Sequence, residues 1–287
     1  MIKNIVALYF SPTHTTKRIV CTIAQEIAQR MGLTFAETDI TPASYREEPI
    51  SFNSGDLVIF GAPVYIGRMP NLISPFFKTI KANGATGVGV AVYGNRAYDD
   101  GLIELRDIMT ECQFKVAAMG AFVGEHTFSR VLGSGRPDSQ DFETAKEFAA
   151  KIATSLAAIQ NNAPGLRFQE IEVPGTPYPY SGFYKATDSD KKSVDIRKVL
   201  PKTDLTKCNR CGKCIQICAM GSINPEDCTE IVGKCIKCGA CIKRCPQGAK
   251  YFDDPQYLSH LKLLEEKFTS PRKEPELFIA SLDVNPS

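Results

Sequence analysis

Apolar positions in the first 160 residues fall into two alternating patterns. Short aliphatic runs predict buried strands at residues 3–10, 33–38, 56–61 (Asp-Leu-Val-Ile-Phe-Gly), 87–93 (Gly-Val-Gly-Val-Ala-Val-Tyr) and 115–123, the second of them weak. Longer stretches with apolar residues spaced three and four apart predict helices at about 15–30, 71–81, 99–112 and 139–159. Five strands separated by helical crossovers predict an α/β domain whose doubly wound parallel sheet is covered on both faces. Ligands on such sheets bind beyond the carboxyl ends of the strands.

The pattern breaks after residue 160. Residues 161–200 carry Pro164, Pro174, Pro177 and Pro179, few helical signals and a charged stretch at 188–192. They read as a linker, partly extended and packed in places by Tyr178, Tyr180, Phe183 and Tyr184. A cysteine-rich module follows at 201–252, and residues 253–287 close the chain with a helix at about 255–267 and a tail. In that tail Leu277, Phe278 and Ile279, beside Arg272 and Lys273, are expected to pin the small domain against the large one. The division expected is therefore 1–160, 161–200, 201–252 and 253–287.

Composition narrows the partners. A net charge of +2, from 34 basic and 32 acidic residues, argues against nucleic acid. No apolar run reaches the length of a membrane span. Residues 1–8 run straight into a loop and a helix without a small-residue cleavage site, so they read as a strand rather than a leader. A soluble, cytoplasmic protein is expected, and a homodimer is compatible with the sequence.

Cysteine usage changes the picture most. Of 11 cysteines, Cys21 and Cys112 stand alone on helical faces and read as core; the other nine lie between 208 and 245. A disulfide scaffold spreads its cysteines along a short secreted chain, so metal is the better explanation. Cys208, Cys211, Cys214 and Cys218 have the spacing C-x2-C-x2-C-x3-C, and Cys235, Cys238, Cys241 and Cys245 repeat it 27 residues later. Structural zinc uses separated pairs of ligands rather than two runs of three plus one. The spacing is that of bacterial ferredoxins with two 4Fe–4S clusters, in which the fourth cysteine serves the other cluster. The resemblance implies one ligand set of Cys208, Cys211, Cys214 and Cys245, and another of Cys235, Cys238, Cys241 and Cys218. Three thiolates two residues apart would wrap one cluster face, with Gly212 and Gly239 relieving the crowded backbone, and the fourth would open a short helix leading to the neighbouring cluster. Pro246 follows the second run but Ala219 the first, a departure from the pattern that removes no ligand. Cys228 lies outside both sets and reads as a small packed side chain.

Three loops at the carboxyl ends of the predicted strands carry the rest of the chemistry. After the first strand, Ser11-Pro12-Thr13-His14-Thr15-Thr16 offers four hydroxyls and the backbone N–H groups of a helix N-terminus to a terminal phosphate. The segment resembles the phosphate loop of the flavodoxin family, with His14 where glycine is usual; histidine tolerates the left-handed region better than most residues. After the third strand, Pro63-Val64-Tyr65-Ile66-Gly67-Arg68 is similar to the loop that covers one flavin face. After the fourth, Tyr93-Gly94-Asn95-Arg96-Ala97-Tyr98-Asp99 is similar to the loop at the other face and the pyrimidine edge. The chain has no Trp, so ring stacking would fall to Tyr65 or Tyr98. Beyond the fifth strand His126 is a candidate to donate to a flavin or meet a substrate, whereas His260, on the last helix, is expected to face solvent.

Taken together the chain resembles the flavodoxin–ferredoxin fusion proteins of anaerobic bacteria and archaea, the EFR-family ferredoxins, and Arg272-Lys273-Glu274-Pro275 also suits that group. The resemblance implies strand order 2-1-3-4-5, FMN, two 4Fe–4S clusters, and electron exchange with a redox protein or a small-molecule donor or acceptor. FMN can hold one or two electrons and clusters carry one, so the implied role is a relay between the two currencies. The rival role is an FMN-dependent reductase of a small organic substrate, fed by the clusters, with His126, Arg96 and Arg68 as candidate groups. The sequence does not choose between carrier and enzyme.

Overall fold

The computed structural model describes residues 1–161 and 166–284, so Pro164 of the linker lies outside the described residues. The first domain runs β1 (Asn4–Tyr9), α1 (Thr15–Met31), β2 (Phe35–Asp39), β3 (Asp56–Pro63), α2 (Ser74–Phe77), β4 (Thr86–Tyr93), α3 (Gly101–Glu111), β5 (Lys115–Val123) and α4 (Ser139–Asn161). Strands β1 to β5 are all parallel, in the order 2-1-3-4-5. This is the doubly wound arrangement of the flavodoxin fold, with its crevice where the strand order reverses, between β1 and β3.

Alternation along the strands sorts side chains onto the two faces. Ile5, Ala7 and Tyr9 of β1, with Leu57 and Ile59 of β3, pack under Ile19, Ile23 and Ile27 of α1 and Phe148 and Ile152 of α4. Leu8, Val58 and Phe60 point the other way, against Phe77 of α2 and Leu105 and Met109 of α3. Every residue of β3 and β4 is buried, as a sheet covered on both sides requires. Packing of α1 is close: a Cβ on Gly61 would stand 2.2 Å from a methyl of Val20.

Three elements depart from the sequence reading. The helix expected at 71–81 contracts to the single turn of α2, because Pro70 and Pro75 confine the backbone around it. The weak second strand sits at Phe35–Asp39, two residues beyond its expected start. The sheet has six strands rather than five: the tail supplies β9 (Glu276–Ile279), antiparallel to β5 through Ala118–Ala121. Leu277, Phe278 and Ile279, expected to pin the small domain, therefore form the edge strand of the large sheet. Further along, the tail forms β10 (Leu282–Val284), paired with β6 (Leu166–Phe168).

The linker packs over α3. Asp100 accepts hydrogen bonds from the backbone N–H groups of Thr176 and Ser181, both at 2.8 Å, and the Tyr180 hydroxyl donates to Asp107 at 2.8 Å. Arg68 lies over the rings of Tyr180 (4.2 Å) and Phe183 (5.3 Å).

The small module holds β7 (Lys202–Thr203), α5 (Lys213–Gln216), α6 (Ala240–Lys243) and β8 (Lys250–Tyr251), with β7 and β8 antiparallel. Its Ala219, Met220, Ile236 and Cys238 join the apolar cluster on the α2–α3 face of the large sheet, so the two parts share one core. Helix α7 (Pro255–Phe268) lies across the junction; Asp254 caps it by accepting from the Tyr257 N–H at 2.9 Å. Tyr257 packs on Phe128 of the large domain (4.9 Å between ring centres) and on Phe252 of the module (4.4 Å). His260, expected to face solvent, is buried, with Nδ1 2.8 Å from the Thr187 carbonyl, because this face of α7 is covered by the linker. Cys112 is in the core as expected, whereas Cys21 is only half-buried. Among the described residues no helix is long and apolar enough to cross a membrane.

Candidate functional site

At the carboxyl end of β1 the chain turns through His14, which takes the left-handed conformation (φ 68°) that the flavodoxin pattern gives to glycine. His14 holds the N-cap position of α1 without a side-chain capping bond of its own. Ser11 Oγ accepts from the Lys17 N–H at 2.9 Å, which frees the Ser11 proton for donation. Thr13 and Thr15 line the cleft with hydroxyls 3.5 Å apart. Thr16 Oγ1 is buried and has no hydrogen-bond partner among the described residues. A buried orphan hydroxyl at a helix N-terminus is what a bound phosphate would satisfy, so the loop fits FMN. Burial, Arg244 and Lys17 all lower the His14 pKa, which favours a neutral ring in this loop.

The other two loops form the cleft walls. Pro63, Val64, Tyr65 and Gly67 stand on one side; Tyr93, Gly94 and Arg96 stand on the other. The Val64 N–H donates to the Val92 carbonyl at 2.8 Å, and Tyr65 and Arg68 exchange two backbone hydrogen bonds, fixing the first loop. Arg96 pairs with Asp99 and lies over the ring of Tyr184 (4.1 Å) from the linker. Asp99 in turn occupies the space beside Gly67, where a Cβ would meet its carboxylate at 2.3 Å.

Two residues of the expected set serve the scaffold instead. Tyr98 is buried edge-on against Tyr93 (5.4 Å), and its hydroxyl donates to Glu276 at 2.8 Å, so of the two candidate stacking rings only Tyr65 lines the cleft. Asn95 is buried and holds the tail: its side chain donates to the carbonyls of Phe268 (2.6 Å) and Pro271 (3.2 Å) and accepts from the Lys273 N–H (3.0 Å).

The loop after β5 closes the cleft with Gly124, Glu125, His126 and Thr127. His126 Nδ1 accepts from the Phe128 N–H at 3.2 Å, and burial with the nearby Lys243 pushes its pKa down to about 3. The ring is therefore neutral, with its proton on Nε2. It lies so close to the β4 loop that a Cβ on Gly94 would be 2.4 Å from it. The remaining candidate cation, Arg68, is 2.7 Å from Glu104 and held between linker rings.

In the small module the two cysteine runs fold alike. Gly212 and Gly239 take positive φ (70° and 72°), as do Arg210 and Lys237 (55° and 57°), each pair 27 positions apart. The short helices α5 and α6 carry the third cysteine and precede the fourth, rather than starting at the fourth as the spacing suggested. Crossing over between runs is visible in the side chains. Cys208, Cys211, Cys214 and Cys245 line one hollow, and Cys218, Cys235, Cys238 and Cys241 line the other. Backbone N–H groups of Ser222 and Ala249 donate to the sulfurs of Cys218 and Cys245, both at 3.3 Å, as thiolate ligands require. Among the described residues no three His, Cys, Asp or Glu side chains close around a single ion.

The second hollow adjoins the cleft. A Cβ on Gly239 would stand 2.8 Å from the Thr127 carbonyl oxygen, so this glycine lets the module seat on the β5 loop. Lys243 Nζ, largely buried, donates to the His126 carbonyl at 2.7 Å and also to Glu125 and the Ser129 carbonyl. Arg244 donates to the Pro12 carbonyl in the phosphate loop at 3.2 Å. Glu125, Lys243 and Arg244 were not singled out from the sequence, and Tyr184 only as a linker packing residue; Lys243 and Arg244 sit in the x3 spacer of the second run, where spacing carries no information about side chains.

Residues 231–251 match the 4Fe–4S binding domain family. No curated protein matches the chain. Among solved structures, rubredoxin oxygen:oxidoreductase from the anaerobe Desulfovibrio gigas is similar over 55% of this chain and 37% of its own, with 19% identity and a TM-score of 0.41. A flavodoxin from the domain Archaea is similar over 54% of this chain and 99% of its own (13% identity, TM-score 0.39). A Fusobacterium nucleatum flavodoxin bound to flavin mononucleotide covers the same 54%, with 98% of its own chain, 14% identity and a TM-score of 0.37. This chain thus spans little more than a third of the oxidoreductase and nearly all of each flavodoxin. By strand order and by the matched cysteine motif, it is a flavodoxin-like domain fused to a ferredoxin-like domain.

Proposed function

We infer that this protein relays electrons between two 4Fe–4S clusters and FMN within one chain, in anaerobic metabolism. The observation that carries the reading is the wall shared by the cleft and the second cysteine hollow: Gly239 rests on Thr127, and Tyr65, Ile236 and Cys238 pack on the same core. FMN, when bound, supplies both one- and two-electron chemistry, and each cluster a one-electron step. Ser11, Thr13, Thr15 and Thr16 would hold its phosphate; Tyr65 and Tyr93 would flank its ring. Cys218, Cys235, Cys238 and Cys241 would hold the cluster nearer the cleft, and Cys208, Cys211, Cys214 and Cys245 the outer one. Lys243 and Gly239 fix the module on the β5 loop, so the spacing of the cofactors would be set by packing and not by a swinging tether.

The reductase alternative draws no support from the cleft. Arg68 and Arg96 are engaged with Glu104 and Asp99, and a histidine with its pKa near 3 is a poor proton donor to substrate at neutral pH. Anaerobic stopped-flow reduction through the clusters tests the relay. Flavin bleaching at a rate independent of protein concentration is expected; a rate proportional to concentration would mean transfer between molecules and would end the internal relay. Mass spectrometry of released cofactor is expected to find FMN, and FAD as the main species would overturn the assignment.

A further inference from the structure

Nine cysteines lie in the small module and eight are accounted for by two tetrads. The ninth, Cys228, is buried, yet it is not packed away from the chemistry: it lines the outer hollow together with Cys208, Cys211, Cys214 and Cys245. Its sulfur is 3.8 Å from that of Cys208. Two sulfurs sharing one tetrahedral metal through bonds of ~2.3 Å are themselves about 3.8 Å apart. Cys208 and Cys228 thus address the same corner of the hollow, and one iron placed there is within reach of both.

The turn bearing Cys228 is held in place for this. Lys250, buried, donates to the Cys228 carbonyl, and the Ile223–Ile231 bridge closes the segment around it. The inner hollow has no counterpart. Stepping back one 27-residue period from Cys228 gives Pro201, and Pro201 lines the inner hollow. The near-symmetric module is therefore asymmetric in one respect, a fifth thiol at the outer site facing a proline at the inner.

We propose that Cys228 is a reserve ligand of the outer cluster, taking over the iron of Cys208 when that bond opens. The exchange moves no electrons: the Cys208 sulfur leaves iron and takes up a proton, and the Cys228 thiol gives one up as its sulfur bonds the same iron. Cys211, Cys214 and Cys245 keep the other three corners throughout. The proposal rests on the reading that this hollow holds a 4Fe–4S cluster.

Iron content and flavin content of anaerobically purified full-length variants test it, with bound flavin reporting that the chain is folded. The wild type and Cys228→Ala are expected to hold about eight irons, since the reserve is idle while Cys208 is bound. Cys208→Ala is expected to keep about eight, and the double variant Cys208→Ala/Cys228→Ala about four. Cys235→Ala, the inner equivalent with only Pro201 behind it, is expected to fall to about four. A loss of half the iron in Cys208→Ala alone overturns the proposal, as does retention of all of it in the double variant. A wild type holding only about four irons overturns the cluster reading itself, which separates that failure from failure of the reserve. Should Cys208→Ala yield no flavin-loaded protein, release of iron to a chelator decides: half the iron is expected to leave Cys228→Ala several-fold faster than wild type, and equal rates overturn the proposal.

Discussion

The ammonium of Lys243, two residues from Cys241, is bonded to the carboxylate of Glu125 in the loop that closes the cleft. The same nitrogen takes two backbone carbonyls of that loop, so one side chain spends its full donor set on joining the two domains. A lysine is suited to this because its three protons can meet three acceptors from different directions.

Lys243→Met keeps the aliphatic stem but leaves Glu125 half-buried without its partner, at a cost of about 3–5 kcal/mol. The expected outcome is a lower denaturation midpoint together with slower flavin reduction through the clusters. Glu125→Gln, which keeps an acceptor, is expected to be milder in both. If flavin reduction in Lys243→Met matches wild type, the contact is structural glue with no bearing on how the cofactors are spaced.

Flavin binding should depend on the hydroxyls that the loop after β1 presents. Replacing Thr13 and Thr16 together with Ala removes the cleft-lining hydroxyl and the buried orphan. Each charge-assisted bond to phosphate is worth roughly 1.5–3 kcal/mol, so affinity is expected to fall by at least tenfold. Titration of apoprotein with FMN by fluorescence quenching measures it, and riboflavin, which lacks the phosphate, should bind wild type and double variant alike. An unchanged FMN affinity would place the phosphate elsewhere.

Asn95 ties the cleft to the tail. Asn95→Ala deletes three hydrogen bonds to the backbone of Phe268, Pro271 and Lys273 in a buried setting, and is expected to cost roughly 2–4 kcal/mol. The tail leads directly into β9, so amides of Ala118–Ala121 on the edge of β5 should lose hydrogen-exchange protection in the variant. Protection equal to wild type at β5 would show that β9 is held by its own ladder and needs no anchor at Asn95.

The strands, the two cysteine runs and the loops that meet at the cleft were legible because each is a local signal: an aliphatic run, a spacing, a hydroxyl cluster after a strand. What escaped is of another kind. Leu277, Phe278 and Ile279 read as a sticky tail because nothing local tells an edge strand from a clamp; only β5's unpaired edge, about 155 positions earlier, decides it. Tyr98 and Asn95 fit the flavin pattern by type and position, yet Glu276 and the tail backbone take their polar atoms. His260 read as exposed because α7 is amphipathic on its own, whereas the linker covers its second face at Thr187. Cys228 read as filler because no spacing rule includes it; its sulfur meets Cys208 only through the fold of the module.

His126 gives the pH dependence a definite sign. Its folded pKa, near 3, lies below the ordinary histidine value of 6.5. Below that ordinary value the unfolded chain takes a proton that the folded chain refuses, so this group's stabilisation is complete above pH 6.5 and is lost progressively as pH falls toward 3. Gln at this position keeps a hydrogen-bond acceptor for the Phe128 N–H and cannot titrate. The stability difference between wild type and His126→Gln, from urea midpoints, should therefore shift against wild type by roughly 1 kcal/mol between about pH 7.5 and 5.5. His14 and His260 are common to both proteins and cancel in the difference. The rate of flavin reduction in wild type should meanwhile show no histidine inflection across that range, since the ring at the cleft stays neutral. A stability difference constant with pH, or an inflection near 6.5 that disappears in His126→Gln, would mean that the imidazole titrates freely in the folded protein and is open to act on a bound substrate.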